Sequence, residues 1–250
     1  MLIEKRLYDI LKIVDAKRSV TVQELTELLN ISESTVRRDL TVLHNNGQLT
    51  KVHGGATAIG MNYYTKDDEV AIRQDLNREE KYKIAQYAAS LIESNDFVFI
   101  DAGTTTEIMI DYITQTDAVF VTNATVHARK LVQKGCKTYM LGGELKLATE
   151  AVVGGETILG LQKYNFTKGF WGTNGVSLTT GFSTPDINEA MVKQKSMEQC
   201  KDRYVLCDSS KFNQIASITF ADFASAKIIT TTVNDETYSQ CSNILEVGKE

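Results

Sequence analysis

The residues of this chain best suited to binding a phosphate are the run Gly103-Thr104-Thr105-Thr106, which follows an apolar stretch at 97–100. Glycine lets backbone N–H groups approach a ligand closely, and threonine hydroxyls add further donors. A helix is predicted to start just after this run, and a helix N-terminus favours an anion. The pattern therefore predicts a phosphate-binding turn.

Four other apolar stretches are also followed by small, hydroxyl, amide or charged residues. Lysine ammonium groups there could pair with a phosphate, and carboxylates could accept hydrogen bonds from sugar hydroxyls. The remaining effector-binding candidates are Asp101, Thr122, Asn123, Gly142, Gly143, Glu144, Thr173, Asn174, Gly175, Glu189, Lys193, Asp208 and Lys211. One such loop is usually an ordinary turn, but several at one edge of a sheet favour a binding site.

Alternating strand and helix patterns place these loops together. Strands are predicted over 97–100, 118–121, 138–141, 168–171, 204–207 and 228–231, with helices between them. This alternation predicts a mostly parallel sheet covered on both faces, in which ligands lie beyond the carboxyl ends of the strands. Neither G-x-G-x-x-G nor G-x-x-x-x-G-K-[ST] occurs, which weakens dinucleotide and nucleoside triphosphate binding. The single tryptophan, Trp171, is expected to pack in the core, with a place in a pocket wall as the alternative.

The first part of the chain has the pattern of three short helices and a hairpin. Apolar residues at helical spacing are Leu7, Ile10, Leu11 and Val14, then Leu25, Leu28 and Leu29, then Val36, Leu40 and Leu43. Thr21 and Glu24 fit a capping box, and Ile31 is expected to be buried in the following turn. Asn45-Asn46-Gly47 should end the third helix with a left-handed residue, and a strand is predicted at 49–52. This order is typical of a winged helix-turn-helix.

The third helix and the hairpin carry the candidate DNA contacts. Ser32 should cap the helix, and its outer face is rich in hydroxyls and arginines that suit a major groove. The candidates are Ser32, Ser34, Thr35, Arg37, Arg38, Lys51 and His53. An arginine pair alone is usually a solvated helix face, but here the cap, turn, apolar stripe and wing all agree.

Composition limits the other classes of function. The chain has 250 residues, 42% of them hydrophobic and 24% charged, which is typical of a folded globular protein. The net charge of −5 does not by itself indicate nucleic acid binding. The four cysteines lack C-x-x-C spacing and the chain has three histidines, so we expect reduced thiols, no metal site and no cofactor. No signal peptide or membrane span is predicted, which favours a cytoplasmic protein.

The segment TVQELTELLNISESTVRRDLTVLHNNGQLTKVHGGA closely resembles the N-terminal signature of the DeoR family of bacterial transcription regulators. The second part resembles the same family at DAGTTT (101–106), VTN (121–123), LGGE (141–144), GTNGV (172–176), NEAMVKQK (188–195) and DSSKF (208–212). Arg73 and Lys81 match an R…EK segment of the family. Lys51 stands where many members have arginine, and Thr173-Asn174-Gly175 stands where many have Ala-Ser-Gly.

The resemblance implies a winged helix-turn-helix DNA-binding domain at 1–56, a linker at 57–72 and an α/β effector sensor at 73–250. In the family this sensor is related to sugar-phosphate isomerases such as ribose-5-phosphate isomerase. GTNGV, GFSTPD and EAMVKQK look like the fructose-operon repressor branch, whose inducer is fructose 1-phosphate. Related repressors respond to phosphates of tagatose, galactitol or deoxyribonucleosides as their effectors.

The expected protein is a repressor rather than an enzyme. Its partners would be double-stranded operator DNA, a phosphorylated sugar that releases it, and further copies of itself in a homodimer or homotetramer, with no membrane partner. Two alternatives stay open. One is a sugar-phosphate isomerase with a regulatory DNA-binding domain, using Asp101, Glu144, Glu189 or Asp208 as its base. The other is an activator with the same effector.

Overall fold

The computed structural model describes residues 3–17, 19–46, 48–52, 54–58, 63–64, 76–233, 235–238 and 240–248. The chain divides into two compact units, an N-terminal unit, Met1–Asn62, and a C-terminal unit, Tyr63–Glu250.

The N-terminal unit is a three-helix module with a small sheet. Its elements are α1 (Ile3–Lys17), β1 (Ser19–Thr21), α2 (Val22–Leu29), α3 (Glu33–Asn45), β2 (Leu49–Val52) and β3 (Gly55–Ala58). Strand β3 pairs antiparallel with both β1 and β2. Ile10, Leu25, Leu40 and Leu43 are almost fully buried in one shared core. Helices this short gain most of their stability from packing, so the three depend on one another.

Side chains at the helix starts fix the chain directions, as the sequence predicts. Thr21 Oγ1 accepts a hydrogen bond from the Glu24 amide at 3.1 Å, and the Thr21 amide donates to the Glu24 carboxylate at 2.9 Å. Ser32 Oγ accepts from the Thr35 amide at 3.3 Å at the start of α3. The predicted capping box and the predicted cap of α3 are confirmed.

One local prediction for this unit needs correction. Leu28 is 54% exposed, because the buried face of α2 runs through Val22 and Leu25 and leaves Leu28 to one side. Asn46 closes α3 with a φ of −80°, and Gly47, a further candidate for the left-handed residue, lies outside the described residues. Strand β3 ends at Ala58, opposite Leu49 of β2.

The C-terminal unit is built on a seven-stranded sheet. Its strands, in the spatial order of the sheet, are β17 (Ile244–Glu246), β16 (Lys227–Thr230), β13 (Cys200–Leu206), β10 (Phe166–Gly172), β5 (Phe97–Ile100), β6 (Val119–Thr122) and β7 (Lys137–Met140). Every neighbouring pair is parallel. The carboxyl ends of the strands therefore meet at one edge.

Helices cover both faces of this sheet, as predicted. They are α4 (Arg78–Ser90), α5 (Thr104–Tyr112), α6 (Thr125–Gln133), α7 (Gly155–Leu161) and α8 (Ile187–Glu198). Successive strand residues point to opposite faces, so Phe99 and Trp171 share one core with Val192 of α8. Phe170 lies in the other core with Ile84 of α4.

Several short strands were not predicted, because segments of two to four residues carry too little periodicity. They are β4 (Tyr63–Tyr64), which pairs with β14 (Ile215–Ala216), the hairpin of β8 (Glu144–Leu145) and β9 (Val152–Val153), and a small antiparallel sheet of β11 (Gly175–Ser177), β12 (Gly181–Thr184) and β15 (Ile218–Ala221). Over the described ranges, no helix is both long and apolar enough to cross a membrane.

Trp171 lies in the core as expected, and its packing explains a neighbouring glycine. The indole is fully buried, and its Nε1 donates to Ser196 Oγ at 2.8 Å. A Cβ atom at Gly169 would lie 2.2 Å from the edge of this indole. The central strand β10 therefore requires glycine at this position.

Replacing Gly169 by alanine should destabilise the protein by about 1–3 kcal/mol through overpacking against Trp171. The loss would be measured as a lower melting temperature. Gly160→Ala in α7 is the matched control, because its Cβ would lie an ordinary 3.7 Å from Leu141. Equal melting temperatures for the two variants would contradict this packing account.

Candidate functional site

The outer face of α3 forms an exposed polar surface on the N-terminal unit. Ser34, Arg37 and Arg38 are exposed, while Val36 and Leu40 on the opposite face are buried. The Arg37 guanidinium lies 3.2 Å from the Glu33 carboxylate, and both side chains are more than half exposed. Exposed pairs of this kind are weak, so Arg37 can exchange Glu33 for a phosphate at little cost.

Lys51 on β2 extends this surface. Its Nζ donates to Thr41 Oγ1 of α3 at 2.7 Å, which holds the ammonium beside the helix. Ser32 and Thr35 lie at the start of α3, where their hydroxyls are 2.9 Å apart. His53 lies outside the described residues. The remaining predicted DNA contacts thus lie along α3 or are held against it by the hairpin.

A buried ion pair behind α3 was missed by the sequence analysis. Arg6 of α1 donates to both carboxylate oxygens of Asp39, at 2.5 Å and 3.0 Å. Asp39 is buried, and its hydrogen bond raises the pKa of Arg6. Asp39 lies three residues after Val36 and four before Leu43, and this spacing could have indicated that it belongs to the buried face of α3. The pair fixes α3 against α1.

A cavity opens at the carboxyl ends of β5, β10 and β13 in the C-terminal unit. It collects predicted effector residues from several strand ends: Gly103, Thr104, Thr105, Thr173, Asn174, Glu189, Lys193, Asp208 and Lys211. Its wall also includes residues that were not predicted as ligands: Leu76, Lys81, Ala102, Thr149, Gly172, Leu206 and Cys207. The parallel sheet brings these distant loops together.

The start of α5 provides an anion-binding feature in this cavity. Gly103 is the N-cap, and no side chain caps the helix there. Thr104 and Thr105 of the first turn line the cavity. The first N–H groups of a helix have no partner within it, and the helix dipole adds partial positive charge.

Three lysines add full positive charge to the same cavity. Lys81 is buried, and its Nζ donates to Thr104 Oγ1 at 3.1 Å. Lys193 is buried and donates to the Gly172 carbonyl at 3.1 Å. Lys211 is half-buried and lines the cavity. The cavity is therefore suited to an anion such as a phosphate.

Asp101 lies behind the cavity wall rather than in its lining. Its carboxylate contacts the Lys193 ammonium and accepts from the Gly172 amide at 3.2 Å. Burial raises the pKa of this carboxyl, and the Lys193 ammonium opposes that rise. Asp101 thus orients Lys193 and compensates its charge.

The two carboxylates that line the cavity already accept hydrogen bonds. Glu189 accepts from Thr149 Oγ1 at 2.5 Å and from Lys146 Nζ at 3.0 Å. Asp208 accepts from Asn77 Nδ2 at 2.7 Å and from the Ser210 amide at 3.1 Å. These contacts hold both groups in place as possible acceptors for sugar hydroxyls.

Several predicted effector residues shape the loops instead of lining the cavity. Thr106 Oγ1 donates to the Asp101 carbonyl at 2.7 Å, and Asn123 Oδ1 accepts from the Ala102 amide at 3.0 Å. Thr122 Oγ1 accepts from the Ala124 amide at 3.1 Å. The side chains of Thr106, Asn123 and Thr122 are all buried.

The remaining predicted glycines and Glu144 also lie outside the cavity lining. The Gly142 carbonyl accepts a hydrogen bond from Thr157 Oγ1 at 2.9 Å. Gly143 has a φ of 146°. A Cβ atom at Gly175 would lie 2.4 Å from the Gln214 carbonyl oxygen. Glu144 is exposed on β8. These residues support the strand ends that form the cavity.

His127 of α6 is a buried neighbour that the sequence analysis missed. Its Nε2 lies 3.2 Å from the Gly103 carbonyl, so a neutral ring can donate to the N-cap of α5. Burial lowers the pKa of His127 to about 4. Nothing in the local sequence distinguishes this histidine from a surface residue of α6.

Both units match family models. The model of the DeoR-like helix-turn-helix domain matches residues 6–61, and that of the DeoR C terminal sensor domain matches residues 76–232. The chain belongs to the DeoR family. Its fold is accordingly a winged helix-turn-helix module followed by an α/β sensor domain, as the sequence resemblance implied. It is a transcriptional regulator of the DeoR type.

Similar proteins cover almost the whole chain. A protein of Bacillus subtilis named uncharacterized HTH-type transcriptional regulator FruR is 42% identical, over 95% of this chain and 94% of its own. The regulator IolR of the same bacterium is 34% identical, over 92% of each chain. The lactose phosphotransferase system repressor of Streptococcus mutans is 33% identical, over 98% of each.

Solved structures resemble the chain less closely. The sorbitol operon regulator SorC of Klebsiella pneumoniae gives a TM-score of 0.41 at 11% identity, over 93% of this chain and 97% of that one. Ribose 5-phosphate isomerase of Methanocaldococcus jannaschii gives 0.40 at 16% identity, over 54% and 55%. Among the described residues, no group of three or more His, Cys, Asp and Glu side chains could hold a metal ion.

The buried His127 predicts a pH dependence of stability. The unfolded chain takes up a proton near pH 6.5, whereas the folded protein resists protonation down to about pH 4. Stability from this group is therefore complete above pH 6.5 and is lost as the pH falls toward 4, by up to about 1.4 kcal/mol per pH unit.

His127→Gln keeps a donor for Gly103 but cannot titrate. Its free energy of unfolding should fall less steeply than the parent's between pH 6.5 and 4, measured by denaturant titration. Identical slopes for the two proteins would rule out this role of His127.

Proposed function

We propose that this protein represses a fructose-utilisation operon and that fructose 1-phosphate releases it from its operator. The observation that carries the proposal is the cavity in which the uncapped start of α5 meets Lys81, Lys193 and Lys211. Helix N-termini and lysine ammonium groups are common phosphate ligands in proteins. Asn174, Glu189 and Asp208 in the same cavity supply acceptors for sugar hydroxyls.

The names of the relatives support a sugar-linked operon. One relative at 42% identity is named FruR, and others are named lactose phosphotransferase system repressors. The motifs GTNGV, GFSTPD and EAMVKQK resemble the fructose branch and point in the same direction. The choice of fructose 1-phosphate over other sugar phosphates rests on that resemblance.

The proposed mechanism links two sites by a difference in affinity. The surface of Ser34, Arg37, Arg38 and Lys51 binds operator DNA, while the cavity binds the sugar phosphate. The effector can release DNA only if it binds the free arrangement of the protein more tightly than the DNA-bound one. Allosteric coupling of this kind is typically about 1–3 kcal/mol. A homodimer or homotetramer would let paired modules contact repeated half-sites.

Two alternatives predict different outcomes. A sugar-phosphate isomerase needs a positioned carboxylate base, yet Asp101, Glu189 and Asp208 are each engaged by protein donors. Turnover of fructose 1-phosphate, fructose 6-phosphate or ribose 5-phosphate that Asp208→Asn abolishes would favour the enzyme. An activator would be recognised by transcription that falls, rather than rises, when the gene is removed.

A thermal-shift screen tests the effector. Fructose 1-phosphate should raise the melting temperature more than fructose 6-phosphate, ribose 5-phosphate, inorganic phosphate or fructose. A ligand that binds the folded state and is present at 100 times its Kd stabilises that state by about 2.7 kcal/mol. Stabilisation by a different sugar phosphate would correct the ligand. No stabilisation by any of them would contradict the sensor assignment.

The DNA surface is tested by Arg37→Ala and Arg38→Ala. Each variant should lower affinity by about tenfold or more for a duplex that the parent selects from a random library. A lost phosphate contact should also flatten the salt dependence by about 0.9 per phosphate. Lys12→Ala, an exposed lysine of α1, is the control. Arginine variants that bind as tightly as this control would disprove the assigned surface.

The cavity is tested by Lys211→Ala. This variant should bind the selected duplex normally but should no longer release it in fructose 1-phosphate, because a phosphate partner is gone. Lys195→Ala is the matched control, since Lys195 pairs with Glu198 at 3.1 Å on the surface of α8. Gel-shift titrations measure release. Normal release by Lys211→Ala would remove this lysine from the site.

A further inference from the structure

The two family domains match residues 6–61 and 76–232, and the chain between them has described residues near both of its ends. Both of these ends attach to one loop of the cavity. We call residues 208–216 the coupling loop. It begins with Asp208, carries Lys211 and ends in β14. Asp208 and Lys211 line the cavity, so the loop has direct access to a bound effector.

The first attachment is made where the chain leaves the N-terminal unit. Strand β4 pairs in parallel with β14, with Tyr63 opposite Ile215 and Tyr64 opposite Ala216. The Ala216 amide also donates to Ser183 Oγ at 2.8 Å, which ties β14 to the sensor domain. Only a few residues separate this pairing from Lys211.

The second attachment is made where the chain enters α4. Asn77 Nδ2 donates to Asp208 Oδ1 at 2.7 Å and to Ser210 Oγ at 3.1 Å. Asn77 caps α4 with a left-handed φ of 51°. Its amide thus contacts the short 3-10 helix Ser209–Lys211 that presents Lys211 to the cavity.

The first turn of α4 strengthens this second attachment. The Glu80 carboxylate accepts from the Ser209 amide and from Ser209 Oγ, each at 2.9 Å, and from Thr231 Oγ1. Lys81 donates to Thr104 Oγ1 in the first turn of α5. The start of α4 therefore contacts both the coupling loop and the proposed phosphate-binding turn.

We infer that the coupling loop transmits effector occupancy to the DNA-binding module, with Asn77 as the positioning residue that connects the loop to α4. The inference rests on the proposed function. A phosphate that draws Lys211 toward the start of α5 moves the 3-10 helix whose Asp208 and Ser210 hold Asn77. Both ends of the connecting chain are then displaced, because β4 is paired with β14 at the other end of the same loop.

Asn77→Gly isolates this role. Glycine adopts positive φ without strain, so the substitution removes the amide and leaves the backbone conformation accessible. Asn95→Gly is the matched control, because Asn95 is also exposed with a φ of 64°, and its amide donates to the neighbouring Ser94 Oγ at 3.1 Å. Asn77 does not line the cavity, and the Ser210 amide and Ser210 Oγ still donate to the Asp208 carboxylate in the variant, so it should retain effector binding.

The experiment compares full-length parent, Asn77→Gly and Asn95→Gly. Calorimetry gives the Kd for fructose 1-phosphate, and gel shifts give affinity for the selected duplex with and without it. The parent and Asn95→Gly should lose DNA affinity in the effector by a factor on the order of 5 to 150. In Asn77→Gly this factor should fall to about 2 or less, while the effector Kd stays within about threefold of the parent's.

Two results would overturn the inference. An unchanged release factor in Asn77→Gly would show that this contact carries no signal. Loss of effector binding together with release would make Asn77 part of the binding site instead of the connection. If neither fructose 1-phosphate nor another sugar phosphate changes the DNA affinity of the parent, the proposed function fails, and the coupling inference fails with it.

Discussion

The proposed effector cavity depends on a buried ion pair between the Lys193 ammonium and the Asp101 carboxylate. Asp101 follows β5, and Lys193 extends from α8 toward the end of β10. Burying two charges is costly, and removal of one partner would leave the other uncompensated in a medium that solvates it poorly. The contact therefore keeps the Lys193 ammonium in a fixed position where the central strands end. A preorganised ammonium loses little freedom when a phosphate binds.

The N-terminal unit has a similar buried pair behind the proposed DNA surface. The Arg6–Asp39 pair lies behind α3, while Arg37 and Arg38 face outward. In both units a buried carboxylate holds a cation and fixes an element whose other groups line the proposed binding surface. The exposed contacts can then be replaced or screened without loss of the fold, since the buried pair and the apolar core position the backbone.

Much of this arrangement follows from local sequence. Thr21, Glu24 and Ser32 specify helix starts through contacts within three residues, so their roles could be predicted. The strand ends were found because short apolar runs and the polar residues after them adjoin in sequence. Parallel pairing then brings Gly103, Lys193 and Lys211 to one cavity, as the alternation of strands and helices indicated.

The remaining features depend on contacts between residues far apart in the chain. Lys81 matched a family segment, but its contact with Thr104 becomes visible only when α4 packs beside α5. Nothing near His127 marks it as a partner of Gly103. Asp101 was predicted as a ligand because it follows a strand, yet its partner Lys193 lies 92 positions away. Such pairings cannot be read from periodicity or from turn chemistry.

The central claim is that the start of α5 and the cavity lysines bind the phosphate of a sugar phosphate. A crystal structure of the full chain with fructose 1-phosphate tests it most directly. The account predicts phosphate oxygens about 2.7–3.0 Å from the backbone nitrogens of Thr104 or Thr105 and from the ammonium of Lys81, Lys193 or Lys211. A sugar phosphate bound elsewhere in the protein, with this cavity empty at saturating ligand, would contradict it.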